Sequence, residues 1–159
     1  MAENQLWQYS LSVYSKPDVE PLLLQLQDDF GADVNLLLCA FWLSSQRYVL
    51  DVVRWSSLVT VSASWRTECI LPLRSVRRFL KSRAGVDAFR EQVKALEIDA
   101  EHCQQDLLYQ QLLAMNYLQF DQRDDALKMN LAAYTGFLAG VDKPVLTALL
   151  EKLQRAVLA

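Results

Sequence analysis

Glycine and proline are scarce in this chain, with four of each in 159 residues. An antiparallel sheet needs many tight turns, so this scarcity argues for helices. Histidine occurs once, as His102, which removes most metal-binding and acid–base schemes. The three cysteines, Cys39, Cys69 and Cys103, form no CxxC pair, and their odd count argues against a disulfide framework. They read as reduced core residues, because a free thiol behaves as a small hydrophobe. A bilayer span needs roughly 18 apolar residues, and the longest apolar run, Val34 to Leu43, falls well short. The opening MAENQLWQYS carries neither the basic nor the apolar stretch of a secretory leader, so the expected location is cytoplasmic. No GxxxxGK(S/T), GxGxxG, GxSxG or HExxH motif occurs, and the phosphate-cradling and hydrolytic chemistry those motifs bring is not signalled.

What is present is the composition of a globular chain: 52% hydrophobic, 22% charged, net charge −3. That is far from the low-hydrophobicity signature of disorder. The acidic balance gives no global pull toward nucleic acid or anionic membrane. The length fits one core, no internal repeat or linker is visible, and the expectation is a single helical domain over residues 1–159.

Apolar residues recur at helical spacing along most of the chain. A short first helix ends at Lys16-Pro17. Asp18 opens a second, in which Val19, Leu22, Leu23, Leu26 and Phe30 share a face and Gly31 supplies the left-handed stop. Asp33 caps a third, Val34 to Ser45, whose apolar character on all sides marks it as central. Between Tyr48 and Trp65 two patterns compete. Trp55, Leu58, Ser62 and Trp65 follow three–four spacing, while Val59, Val61 and Ala63 alternate with Thr60, Ser62 and Ser64 as a strand would. Helix is preferred, because an isolated hairpin is marginal. Pro72 starts or kinks a further helix to Arg83, closed by Gly85. A long helix runs from Asp87 to about Tyr117 with Val93, Leu96, Ala100, Cys103, Leu107 and Ala114 as its apolar stripe. Helices over Asp124 to Leu138 and, capped by Asp142, Pro144 to Leu158 complete a compact all-α bundle of about six or seven helices.

The most distinctive feature is basic. Arg74, Arg77, Arg78 and Lys81 stand at i, i+3, i+4 and i+7 and share one helix face, with Leu73, Val76 and Leu80 expected toward the core. Guanidinium forks suit carboxylate or phosphate. The ridge is therefore a candidate surface for an acidic protein partner, unless it packs against the chain's own acids Asp28, Asp29, Glu97 and Glu101. Without interleaved aromatics it is a poor nucleic-acid surface. A second constellation, Asp28, Asn35, Trp42, Arg66, Glu97 and Glu101, reads either as an internal polar network or as the lining of a ligand pocket. Asp99 and His102 lack the second copy and extra carboxylates that a di-iron bundle needs, so no metal is expected, and no cofactor. The last helix's apolar face serves the core or, alternatively, a second copy of the chain.

The stretches LQDDFGADVNLLLCAFWL (Leu26 to Leu43), Trp65-Arg66 with the following PLRSVRRFLK (Pro72 to Lys81), LEIDAE (Leu96 to Glu101) and NLAAY (Asn130 to Tyr134) resemble a family of small proteobacterial proteins described only as a domain of unknown function. The resemblance implies an all-helical bacterial cytosolic protein and brings no catalytic residue or cofactor. The functional expectation is a non-enzymatic adaptor or regulator using the Arg74, Arg77, Arg78 and Lys81 face. The alternative is a small-molecule binder or enzyme with the polar pocket.

Overall fold

Residues 3–159 are described by a computed structural model. Its helices are α1 (Gln5–Tyr14), α2 (Val19–Phe30), α3 (Val34–Ser45), α4 (Val52–Trp65), α5 (Leu71–Leu80), α6 (Asp87–Leu113), α7 (Arg123–Thr135) and α8 (Lys143–Leu158). A π-helical turn over Arg66–Ile70 joins α4 to α5, so these two form one continuous rod and seven helical rods make an all-α bundle. Pro72 explains the wide turn: a regular helix would press its ring against the carbonyl four residues back. Here the Leu71 amide instead reaches the Arg66 carbonyl, five residues back. Pro72 thus stands in the first turn of α5, as expected of a residue that starts or kinks a helix, and the π turn carries the rod through it.

The preference for helix over 52–65 holds. Trp55, Leu58 and Ser62 are buried at three–four spacing, and the Thr60 hydroxyl donates back to the Ser56 carbonyl at 2.9 Å, so the alternating Ser and Thr residues need no strand to satisfy them. The only extended pairing among the described residues is two residues long. β1 (Tyr48–Val49) runs antiparallel to β2 (Leu118–Gln119), with Tyr48 opposite Gln119. Arg47, at φ 61, makes the left-handed turn from α3 into β1, a conformation that favours glycine.

One hydrophobic cluster draws on α1, α2, α3, α4, α6, α7 and α8. α3 is its axis, buried from Asn35 through Ser44. α7 makes the most extensive helix–helix contact with it, and α8 packs on α2 through Leu146, Leu149, Leu153 and Val157. The Lys16 ammonium donates to the Val157 carbonyl, tying the first loop to the last helical turn, where a cation is favoured. Caps follow the sequence at Asp33 and Asp142, whose carboxylates accept from Asn35 and Val145 amides. Asp18 precedes α2 in a left-handed conformation and caps with its backbone position alone.

Three expectations are corrected. α6 ends at Leu113, and its buried face is Val93, Glu97, Ala100, Gln104, Gln105, Leu108, Tyr109 and Leu112; Leu96 and Leu107 of the expected stripe are exposed. Among the cysteines only Cys39 is buried, with Cys69 half-buried and Cys103 exposed. On α5, Leu80 is buried but Val76 is 42% exposed, whereas Arg74 is only 8% exposed: this helix turns part of its basic face inward. No helix among the described residues is long and apolar enough to cross a membrane.

Candidate functional site

α6 carries a polar stripe, Arg90, Lys94, Glu97, Glu101 and Gln104, whose spacing of four, three, four and three keeps it on one face, with Gln105 four residues after Glu101 at its edge. α5 lies against α6, and side chains from along α1 and α2, from the start of α3 and from the π turn surround the same face. The result is a cavity of about 810 Å³, whose walls include Trp7, Leu11, Tyr14, Leu24, Val34, Leu38, Ile70 and Ile98 among the apolar and aromatic side chains. Its size suits a small organic ligand.

The floor is a closed hydrogen-bond network. Asn35 donates to Gln104 Oε1 at 2.5 Å and to the Glu101 carbonyl at 3.3 Å, and accepts from Gln105 at 2.9 Å. Gln105 in turn accepts from the Ser10 hydroxyl at 3.1 Å. Gln104 donates to Asp33 at 2.8 Å and to the Ser62 hydroxyl at 2.6 Å, and Ser62 donates to Asp33. Every member is buried and satisfied, so the network fixes how α1, α3, α4 and α6 meet, as complete buried networks do.

Above the floor stand the ion pairs. Arg74 Nε donates to Glu97 Oε1 at 2.8 Å and its Nη2 to Glu101 at 3.2 Å, while Arg77 Nε donates to Glu97 Oε2 at 2.5 Å. Burial pushes the Glu97 carboxyl upward, but hydrogen bonds from Arg77 and Arg74, with their charges, outweigh it and hold it below the usual carboxylate range. The hydrogen bond to Glu97 in turn raises Arg77. Glu101 goes the other way. Partial burial raises it, Arg74 opposes this, and the nearby charges of Glu97 and Asp33 add to the rise; Arg74 has spent its Nε on Glu97 and meets Glu101 through one longer contact. Burial also raises the Tyr14 phenol, with the charges of Glu101 and Glu20 adding and Arg74 opposing.

The rest of the positive charge is uncompensated. Arg66, Arg78, Lys81, Arg90 and Lys94 line the cavity and form no salt bridge among the described residues. Arg66 reaches only the Ala32 carbonyl, at 3.5 Å. Arg90 Nε is shut off from solvent and meets no acceptor, although a buried guanidinium nitrogen without a partner is costly. In all, seven basic and five acidic side chains line the cavity, a net +2 within a chain of −3.

The structure thus merges the two constellations that the sequence suggested separately. Arg74, Arg77, Arg78 and Lys81 do share a face, but Arg74 and Arg77 are occupied by Glu97, leaving Arg78 and Lys81 exposed at the rim. Asn35, Arg66, Glu97 and Glu101 line the cavity, with Asp28 at its exposed edge. Trp42 does not line it: it is buried in the core with its ring edge-on to Tyr109, 5.8 Å away. Sequence reasoning missed Asp33 as a network member, Gln104, Gln105, Arg90, Lys94, and Trp7, which stacks on His102 at 3.9 Å. The polar stripe of α6 is the signal that would have found four of them. Among the described residues no group of His, Cys, Asp and Glu gathers where it could hold a metal ion.

No curated protein and no solved structure matches the chain. A family model matches residues 5–108, from α1 through most of α6, and so takes in every cavity-lining residue named above. The chain belongs to the family described as protein of unknown function (DUF2390).

Proposed function

We propose that this chain is a small-molecule-binding protein, bacterial and cytoplasmic, whose cavity between α2, α5 and α6 takes an anionic organic ligand. One observation carries the reading: Arg90 presents a buried Nε without an acceptor in a wall where Arg66, Arg78, Lys81 and Lys94 also lack acidic partners. A protein that binds nothing there gains nothing from such a cluster, since like charges repel and the unmet donor is desolvated. The apolar walls supply area for the rest of the ligand, the usual composition of a small-molecule site. Binding is favoured over catalysis because, of the five carboxylates that line the cavity, Glu97 and Glu101 are engaged by arginine and Asp33 by Ser62 and Gln104. The adaptor reading is weaker, because an acidic partner would have to displace Glu97 to reach Arg74 and Arg77.

The test is a thermal-shift screen against anionic metabolites, followed by calorimetry on the wild type and Arg90→Gln. A ligand that binds only the native state raises its melting point. The expected result is at least one saturable hit that Arg90→Gln weakens while remaining folded. An absence of hits across a broad anionic set, with the wild type folded, refutes the reading.

A further inference from the structure

α5 and α6 form an antiparallel hairpin whose register is set by three ion pairs: Arg74 with Glu101, Arg74 with Glu97, and Arg77 with Glu97. Moving one turn toward the hairpin loop in the same register brings Arg78 and Lys81 opposite Lys94 and Arg90. The ladder of opposite charges becomes a rung of four like charges. All four line the cavity, none forms a salt bridge among the described residues, and the Arg90 Nε is desolvated without an acceptor. Packing alone does not call for this arrangement, because a carboxylate at position 94 would extend the ladder.

We infer that the rung binds the phosphate of an organic phosphate ester whose apolar portion lies on Leu11, Leu24 and Ile98; this rests on the cavity being a ligand site. A single carboxylate brings one negative charge. A phosphomonoester brings about −1.5 to −2 and three strong acceptor oxygens, which matches two guanidinium forks and two ammonium groups better. Leu11, Leu24 and Ile98 line the same cavity and are each more than 40% exposed, so an apolar body seated there removes surface that the fold leaves in water.

Lys94→Glu separates a ligand rung from a structural one. Glutamate at 94 pairs with Arg78 and Lys81, so the free variant should melt higher than wild type by about 2 °C or more, while its affinity for phosphate falls at least about tenfold. The probes are phenyl phosphate, benzoate and inorganic phosphate, read by calorimetry and melting point. The inference expects wild type to bind phenyl phosphate more tightly than either other probe, and Lys94→Glu to lose that binding while gaining stability. Equal binding of benzoate and phenyl phosphate, unaffected by Lys94→Glu, overturns the phosphate assignment and leaves the cavity reading standing. Equal binding of inorganic and phenyl phosphate overturns the organic body. If none of the three binds, the inference fails, and the metabolite screen decides the cavity reading on its own.

Discussion

Replacing Glu97 by glutamine removes the negative charge that Arg74 and Arg77 share. The Glu97 side chain is 8% exposed and that of Arg74 10%, against 25% for Arg77. Breaking a buried ion pair from one side costs roughly 3–5 kcal/mol, because the remaining charge is left without compensation. Two features reduce that figure: Glu101 still contacts Arg74 at 3.2 Å, and Arg77 turns to water readily. A loss of about 2–3 kcal/mol is expected, equivalent to roughly 5–10 °C in melting point for a chain of this size. Glu101→Gln is the control. Its side chain is 38% exposed and its carboxyl is raised rather than lowered, so the change should stay within about 1 kcal/mol. The pH dependence carries its own sign. Glu97 is depressed in the folded state, so its contribution is complete above the ordinary glutamate value of about 4.3 and is lost as pH falls below it. Urea unfolding followed by tryptophan fluorescence gives both numbers, provided the slope with denaturant is unchanged. The wild-type advantage over Glu97→Gln should be full at neutral pH and shrink in acid. A Glu97→Gln cost below about 0.5 kcal/mol, or a Glu101→Gln cost equal to it, refutes the ion-pair geometry.

Two further outcomes follow from the core. Asn130 is fully buried and serves Leu50 N–H, the Trp55 indole and the Tyr48 carbonyl at once; Asn130→Ala should cost roughly 2–4 kcal/mol in the same unfolding assay, and a loss under about 1 would show that those groups find other partners. Burial raises the phenols of Tyr9, to about 12, and of Tyr14 and Tyr134. Stability from these residues is complete below about pH 10, where unfolded tyrosine titrates, and declines as pH rises toward the folded values. Phenolate absorbance should therefore climb together with loss of helical circular dichroism, and full ionisation with the helices intact would contradict the burial.

The helical architecture was legible because local spacing decides it: the uniformly apolar run at Val34 to Leu43 could only be central, and Asp33 and Asp142 stand where caps belong. The orientation of α5 was not. Arg74, Arg77, Arg78 and Lys81 make the same stripe whether it faces water or the interior, and the deciding partners, Glu97 and Glu101, lie on the next helix. Val76 misled for the same reason, since it is outward once the arginines have acids to meet. On α6 the long apolar series at Leu96, Cys103 and Leu107 looked like a core face, yet the buried side is partly polar because Glu97, Gln104 and Gln105 find partners there. Trp42 shares the face of α3 that carries Asn35 and Leu38, seven and four positions earlier, but it lies farther along the helix, where Tyr109 covers it and the cavity does not reach. The β1–β2 pair is two residues long and joins segments about 70 positions apart, too short to leave a periodic trace.

The seam between α3 and α7 bears on how much of the chain the matched stretch needs in order to fold. The family match stops at residue 108, yet Leu127, Leu131 and Tyr134 cover the flank of the central helix, and Asn130 closes the hydrogen bonds of the segment that follows it. Cut back to the matched stretch, this chain would show water a strip of leucine and tryptophan together with unmet hydrogen-bonding groups. The matched stretch therefore depends on α7 for its cover, and the helix belongs to the same folding unit although the match does not reach it.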